Sequence, residues 1–185
     1  MTALLLILPL SACGMLGESS ENNSTENVPN VNMQEAANRA DTVLDMTLKA
    51  IKPEVEWVYG ETTSQACTDW KNEETETGAV SRRRAVTTII SKERRGNFLG
   101  GVEDFWKKSG YEIIAVRDSA THPAVYAETP EGFRIRLMFG AKGQALLQAS
   151  TPCAEQSDVT DPKEDTGPAP APNAESDFWS ASGNS

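Results

Sequence analysis

Three cysteines, one histidine, a run of three arginines and a cluster of carboxylates are the residues whose types could do chemistry. Cys13, Cys67 and Cys153 show no CxxC spacing and no neighbouring histidine, so neither a metal–thiolate site nor a redox dithiol is indicated. The lone histidine, His122, lies in DSATHPAVY directly before a proline. One imidazole excludes any site built from several His ligands, and any Ser-His-Asp arrangement would have to use this residue. Its position before Pro123 reads instead as turn chemistry. Glu73, Glu74 and Glu76 crowd the polar stretch NEETETG, where water relieves their repulsion and nothing creates the dry site that raises a carboxyl for acid catalysis. GNFLGG lacks glycines in the right frame for a phosphate or dinucleotide loop. The sequence therefore predicts no catalytic residues, no metal, no cofactor and a chain that is not an enzyme.

Arginine chemistry remains. In a strand Arg82 and Arg84 point to one face and Arg83 to the other. Their simplest partners are Asp69, Glu73, Glu74 and Glu76 on the preceding hairpin arm, pairs worth roughly a few tenths of a kcal/mol each when exposed. The functional rival joins Arg82 and Arg84 to Arg134 and Arg136, which alternate with Phe133, Ile135 and Leu137 and should point outward. Together they would form a basic surface for an anionic lipid headgroup or glycopolymer.

Cys13 ends an apolar run, LLLILPLSACG, that gives way at once to the polar GESSENNSTENVPN. The ten residues from Ala3 to Ala12 include Pro9, and a membrane-spanning helix needs about 20 apolar residues, so the run reads as a secretory h-region. Leu10-Ser11-Ala12-Cys13 resembles a bacterial lipobox. In proteins that carry this motif, the thiol receives a diacylglyceryl group, the peptide is cut before the cysteine, and the new amino terminus is often acylated with a chain such as palmitate. Residues 1–12 are then a signal peptide and Cys13 the lipidated first residue of the mature protein. No Lys or Arg precedes Arg39, so the basic n-region is missing and the true start is expected upstream.

These residues sit on a chain with three compositional zones. Residues 13–32 are rich in Ser, Asn and Glu and too poor in apolar groups to offset ordering entropy, which predicts a polar tether. Residues 154–185 alternate Pro and Ala among acidic groups, which predicts a disordered tail. Residues 33–153 have the length of one domain with its own core. Of the net charge of −10, the tail carries −6 and the tether −3, leaving the domain near −1. The acidity belongs to the flanks, and no basic excess suits nucleic acid.

Within the domain, Met33, Ala36, Ala37, Ala40, Val43, Leu44, Thr47, Leu48 and Ile51 recur at helical spacing. Asn32 and Glu35 form a candidate capping box, and Pro53 closes the run. A second helix is predicted near Glu93 to Ser109, with Phe98, Leu99, Val102, Phe105 and Trp106 on one face and Gly110 as its stop. The remaining apolar segments alternate as strands, and AVYAE, FRIRLMF and QALLQAS should form an antiparallel meander. The expected fold class is α+β: an antiparallel sheet of about five to six strands with two helices packed on one face, flanked by disordered segments. Trp57, Tyr59, Trp70, Trp106 and Tyr126 are expected at the core or its edge. Phe178 and Trp179 read as chance composition or as a short partner-binding element.

With Cys13 lipidated, Cys67 and Cys153 are left as a pair, and an exported domain most simply bonds them. The bond would close a loop of roughly 87 residues and contribute about 4 to 5 kcal/mol in the chain-entropy picture.

Taken together, the lipobox, the polar tether, CTDWKNE, RRR before an apolar strand, ERRG opening a helix and STPCA closing the fold resemble small uncharacterised lipoproteins of actinobacteria. The resemblance runs from about Cys13 to Cys153 and implies a location and a shared fold, not an activity. The expected function is a lipid-anchored binding or accessory module on the outer face of the cell membrane. Its partners would be the membrane, through the anchor, and an envelope protein or anionic envelope polymer. A structural envelope protein that recognises partners through its acidic tail is the alternative, and an enzyme comes third.

Overall fold

The computed structural model describes residues 31–140, 143–162 and 168–182. The expected signal peptide, Cys13 and nearly all of the tether lie outside the described residues, as do 163–167 and 183–185 of the tail.

Asn32 caps the first helix as its sequence requires. Its side chain accepts from the Glu35 N–H at 2.9 Å, and the Glu35 carboxylate accepts from the Asn32 N–H at 3.4 Å. The helix α1 (Met33–Ala50) buries Ala36, Ala37 and Ala40, whose small side chains bring its backbone close to the sheet, and then Leu44 and Leu48. A 3-10 turn at Lys92–Arg94 leads into α2 (Arg95–Lys108), which buries Phe98, Val102 and Trp106. Gly110 ends it at φ +79°, with its N–H donating to the Lys107 carbonyl at 3.1 Å. Trp106 Nε1 donates to Thr47 Oγ1 at 3.0 Å and so joins the two helices.

Among the described residues the sheet has eight strands, more than expected: β1 (Trp57–Tyr59), β2 (Thr63–Thr68), β3 (Glu74–Val86), β4 (Glu112–Arg117), β5 (Ala124–Glu128), β6 (Arg134–Phe139), β7 (Ala145–Ser150) and β8 (Ala154–Glu155). All its strand pairings are antiparallel. The thirteen-residue β3 is the spine. One of its edges pairs with β2 and then β1, the other with β8 and then β7, and the sheet continues through β6 and β5 to β4. The meander β5–β6–β7 runs as the alternation predicts. The extra strands arise because NEETETG is only partly a loop: from Glu74 onward it pairs with β2, and Thr77 and Gly78 pair with β8.

Val86, Val125, Ile135, Leu137 and Leu147 on one sheet face form a common core with Leu44 and Leu48 of α1 and Phe98, Val102 and Trp106 of α2. This is an α+β arrangement. Cys67 and Cys153 are bonded, tying β2 to the segment between β7 and β8. Among the described residues no helix is long and apolar enough to cross a membrane.

The described parts of the C-terminal segment correct the expectation of a disordered tail. β8 lies within it, Asn173 and Ala174 donate to the Thr87 carbonyl at 2.8 and 3.0 Å, and Ser91 donates to the Trp179 carbonyl at 2.9 Å. Trp179 is 4% exposed, sits edge-on to Phe98 at 5.1 Å and donates Nε1 to the Pro53 carbonyl at 2.7 Å. One buried, hydrogen-bonded indole together with a short backbone ladder outweighs the entropy of ordering a Pro-rich segment that is already stiff. The Phe178–Trp179 pair is thus neither chance composition nor a free partner-binding element.

Candidate functional site

The alternation of β3 sends Arg82 and Arg84 to one face and Arg83 to the other, but the faces are the reverse of the outward reading. Arg82 and Arg84 are each 1% exposed. They lie beneath α1, where Asp41 and Asp45, one helical turn apart, meet them. Asp41 bridges both guanidiniums, at 3.2 Å from Arg82 Nε and 2.8 Å from Arg84 Nη2, and Asp45 adds 3.2 Å to Arg84. Arg82 also donates to Thr62 Oγ1 at 2.6 Å and to the Thr160 carbonyl at 2.7 Å, with Asp161 at 3.3 Å. Arg84 stacks over Tyr59 with its guanidinium carbon 4.2 Å from the ring centre. Buried arginine persists only where paired and hydrogen-bonded, and the terminal nitrogens of these two are, while the buried Nε of each makes no hydrogen bond. They are structural, and their carboxylate partners come from the helix and the C-terminal segment, not from Asp69, Glu73, Glu74 or Glu76.

Arg134 and Arg136 do face outward, opposite the buried Phe133, Ile135 and Leu137. Strand order then places Arg83 with them. Arg83 pairs across to Gln148 on β7, and Gln148 pairs to Arg136 on β6, so the three side chains form one row across the outer face. Arg83 Nε and Arg136 Nη2 donate to the same Gln148 oxygen at 3.1 and 2.7 Å. Gln148 Nε2 donates to Ser150 Oγ at 3.1 Å, and Ser150 shares a 2.7 Å hydrogen bond with Ser81 on β3. The row continues on the other side to Tyr126, the cross-strand partner of Arg136.

Arg136, Gln148, Ser150 and Ser81 of this network floor an open groove of about 860 Å³ on the face opposite both helices, and Arg83, which also lies 3.8 Å from Glu61, supports Gln148 from outside its lining. Its lining runs from Thr63 and Gln65 on β2, over Ser81, Gln148, Ser150 and Arg136, to Ile114 and Ala115 on β4. Arg134, next along β6, pairs with Glu128 at 3.3 Å and remains 80% exposed at its side chain. The site thus offers cationic donors, hydroxyls and an amide at one end of a row and a phenol ring with small apolar groups at the other. That chemistry binds anionic or polyhydroxyl groups by charge-assisted and neutral hydrogen bonds; it supplies no nucleophile–base pair.

His122 is exposed in the turn before β5. Its carbonyl accepts from Arg117 Nε at 2.9 Å, and its Nδ1 lies 2.9 Å from Thr121 Oγ1. Among the described residues no group of three or more His, Cys, Asp or Glu could hold a metal ion. Gln148 and Ser150 carry the groove yet stand out in no sequence motif; the alternation of QALLQAS, with its polar members on one face, is the signal that could have found them.

No protein-family model matches the chain, and no curated protein matches it. Among solved structures it is similar to a DUF4853 family protein from Actinomyces odontolyticus, at 12% sequence identity and a TM-score of 0.44, over 73% of this chain and 75% of that one.

Proposed function

We infer that this chain is a lipid-anchored extracytoplasmic module of the cell envelope, whose outer groove holds an anionic, hydroxyl-rich segment of an envelope polymer. The observation that carries the ligand class is the convergence of Arg83 and Arg136 on one Gln148 oxygen, continued by the Ser150–Ser81 hydroxyl pair. Each guanidinium has five N–H donors in a fixed fork, so Arg136, held by its bond to Gln148 and lining the groove, keeps donors for a phosphate or carboxylate, while Arg83, paired also with Glu61 at 3.8 Å, fixes Gln148 in place. Tyr126 beside Arg136 adds a ring edge on which a sugar can pack.

The anchor rests on Leu10-Ser11-Ala12-Cys13 and the polar stretch after it. The disulfide between Cys67 and Cys153 fits an oxidising compartment. The alternative, partner recognition through an acidic tail, loses its best residues, because Trp179 is buried against Phe98 and Asp161 is drawn to Arg82.

Titration of isotope-labelled protein with soluble poly(glycerol phosphate) and with polyuronate tests the groove. Amide shifts should concentrate at Ser81, Arg83, Arg136, Gln148 and Ser150. Shifts spread over both faces, or none with either polymer, would overturn the assignment of the groove.

A further inference from the structure

Trp70 is the most exposed large apolar side chain among the described residues, at 86%. It stands at the tip of the β2–β3 hairpin, in the CTDWKNE stretch, and corrects the expectation of a core or core-edge ring. The turn beneath it is complete without it. The Asp69 carboxylate accepts from the N–H groups of Lys71 and Glu73 at 2.8 and 2.9 Å, Asp69 N–H donates to the Glu73 carbonyl at 2.9 Å, and Asn72 N–H donates to the Asp69 carbonyl at 3.0 Å. Asn72 supplies the left-handed residue at φ 63°. The disulfide fixes Cys67, three residues before the indole, to Cys153. A rigid, covalently braced turn therefore holds in water the side chain with most to gain from burial.

We propose that this hairpin tip is a protein-docking element, with Trp70 as the anchor that enters an apolar slot on a partner whose rim carries Lys and Arg. Pre-organisation removes the ordering cost that a flexible loop would pay, and tryptophan is among the side chains that most often dominate an interface. Charge selects the partner: Asp69, Glu73, Glu74 and Glu76 lie within six residues of Trp70 on the same hairpin against Lys71 alone, a local net charge of −3. Such a rim complements a basic protein surface and is repelled by an anionic lipid leaflet. Lys71 already lies 4.9 Å from the Trp70 ring centre, showing that the indole face accepts a cation. The proposal is independent of the groove and of the lipid anchor.

The test places a photocrosslinker beside the indole, as Lys71→p-benzoylphenylalanine in the full chain, and irradiates intact cells of the native host. The expected product is one discrete protein adduct whose crosslinked peptide maps to a surface flanked by Lys or Arg. Adding Trp70→Ala should lower its yield by about tenfold or more, as should adding the pair Glu73→Lys and Glu74→Lys. The Tm of Trp70→Ala alone should stay within about 2 °C of the parent, because the side chain is exposed. Adducts with lipid or with a second copy of this chain, no discrete adduct, or a yield indifferent to Trp70 would each overturn the proposal. So would Trp70-dependent cosedimentation of the protein with phosphatidylglycerol–phosphatidylcholine vesicles, or a large loss of Tm.

Discussion

Asp41→Asn removes the charge that two buried guanidiniums share while keeping the shape of the side chain. Deleting one partner of a buried ion pair costs about 3–5 kcal/mol, most of it the penalty of leaving a charge buried with too little to balance it. Here Arg84 keeps Asp45 at 3.2 Å and Arg82 keeps Asp161 at 3.3 Å, but those carboxylates are 42% and 57% exposed and so more strongly screened. The expected loss is therefore at the lower end, about 3 kcal/mol. With a urea slope of about 2 kcal/mol/M, the unfolding midpoint should fall by about 1.5 M at unchanged slope. Arg134→Ala, at an exposed pair, should cost under about 0.5 kcal/mol in the same assay. A loss below about 1 kcal/mol for Asp41→Asn would refute the reasoning that α1 is clamped to β3 through this carboxylate.

Four further outcomes are expected. Cys67→Ser with Cys153→Ser should lower stability by about 4 kcal/mol, since the bond spans 86 residues of sequence; equilibrium denaturation with and without reductant measures it. Trp179→Ala should cost about 3–5 kcal/mol, since it removes a buried ring and strands the Pro53 carbonyl, and calorimetry should show one cooperative transition shifted down. Burial pushes the Tyr111 phenol above its ordinary value, with the Glu131 charge adding to the effect. A raised folded value means that stability is intact below the unfolded phenol's value of about 10 and falls as the pH rises from there through the folded one; Tyr111→Phe should remove that part of the alkaline decline in a pH-dependent melting series. Metabolic fatty-acid labelling of the protein in its native host should mark Cys13, and Cys13→Ala should abolish the label and release the protein from the membrane.

The helices were legible because their signals are local: the Asn32–Glu35 box, the alanine and leucine spacing of α1, and Gly110 after α2 all act within a few residues. Strand parity was legible too, and Arg134 and Arg136 face outward as their alternation requires. Which face is buried was not legible for β3. Alternation separates Arg82 and Arg84 from Arg83, but charge suggests solvent for whichever pair is larger, and the face is decided by carboxylates about forty residues earlier. Asp41 and Asp45 lie one turn apart on the helix face that also carries Ala40, Leu44 and Leu48, a pairing that becomes visible only once α1 is laid over β3. The order of the C-terminal segment is hidden in the sequence for a related reason. Pro/Ala composition argues for an unpaired chain, and a single Trp179 far from the core in sequence cannot outweigh composition until its pocket between Phe98 and Pro53 exists. Trp70 is the reverse case, an exposed ring where large rings are usually buried, and nothing in CTDWKNE distinguishes a rim from a core.

The central claim, that the outward groove lined by Arg134 and Arg136 recognises an anionic envelope polymer, is tested most directly by removing these two charges. The protein and its Arg134→Gln, Arg136→Gln variant, which keeps a hydrogen-bond donor at each position and sets no like charge opposite Glu128, are compared for cosedimentation with purified cell-wall material across a range of salt. The account predicts salt-sensitive binding by the parent, a loss of about tenfold or more in the variant, and melting temperatures within about 2 °C of each other. Equal binding by the two proteins, or a loss of binding that only accompanies a loss of stability, would contradict it.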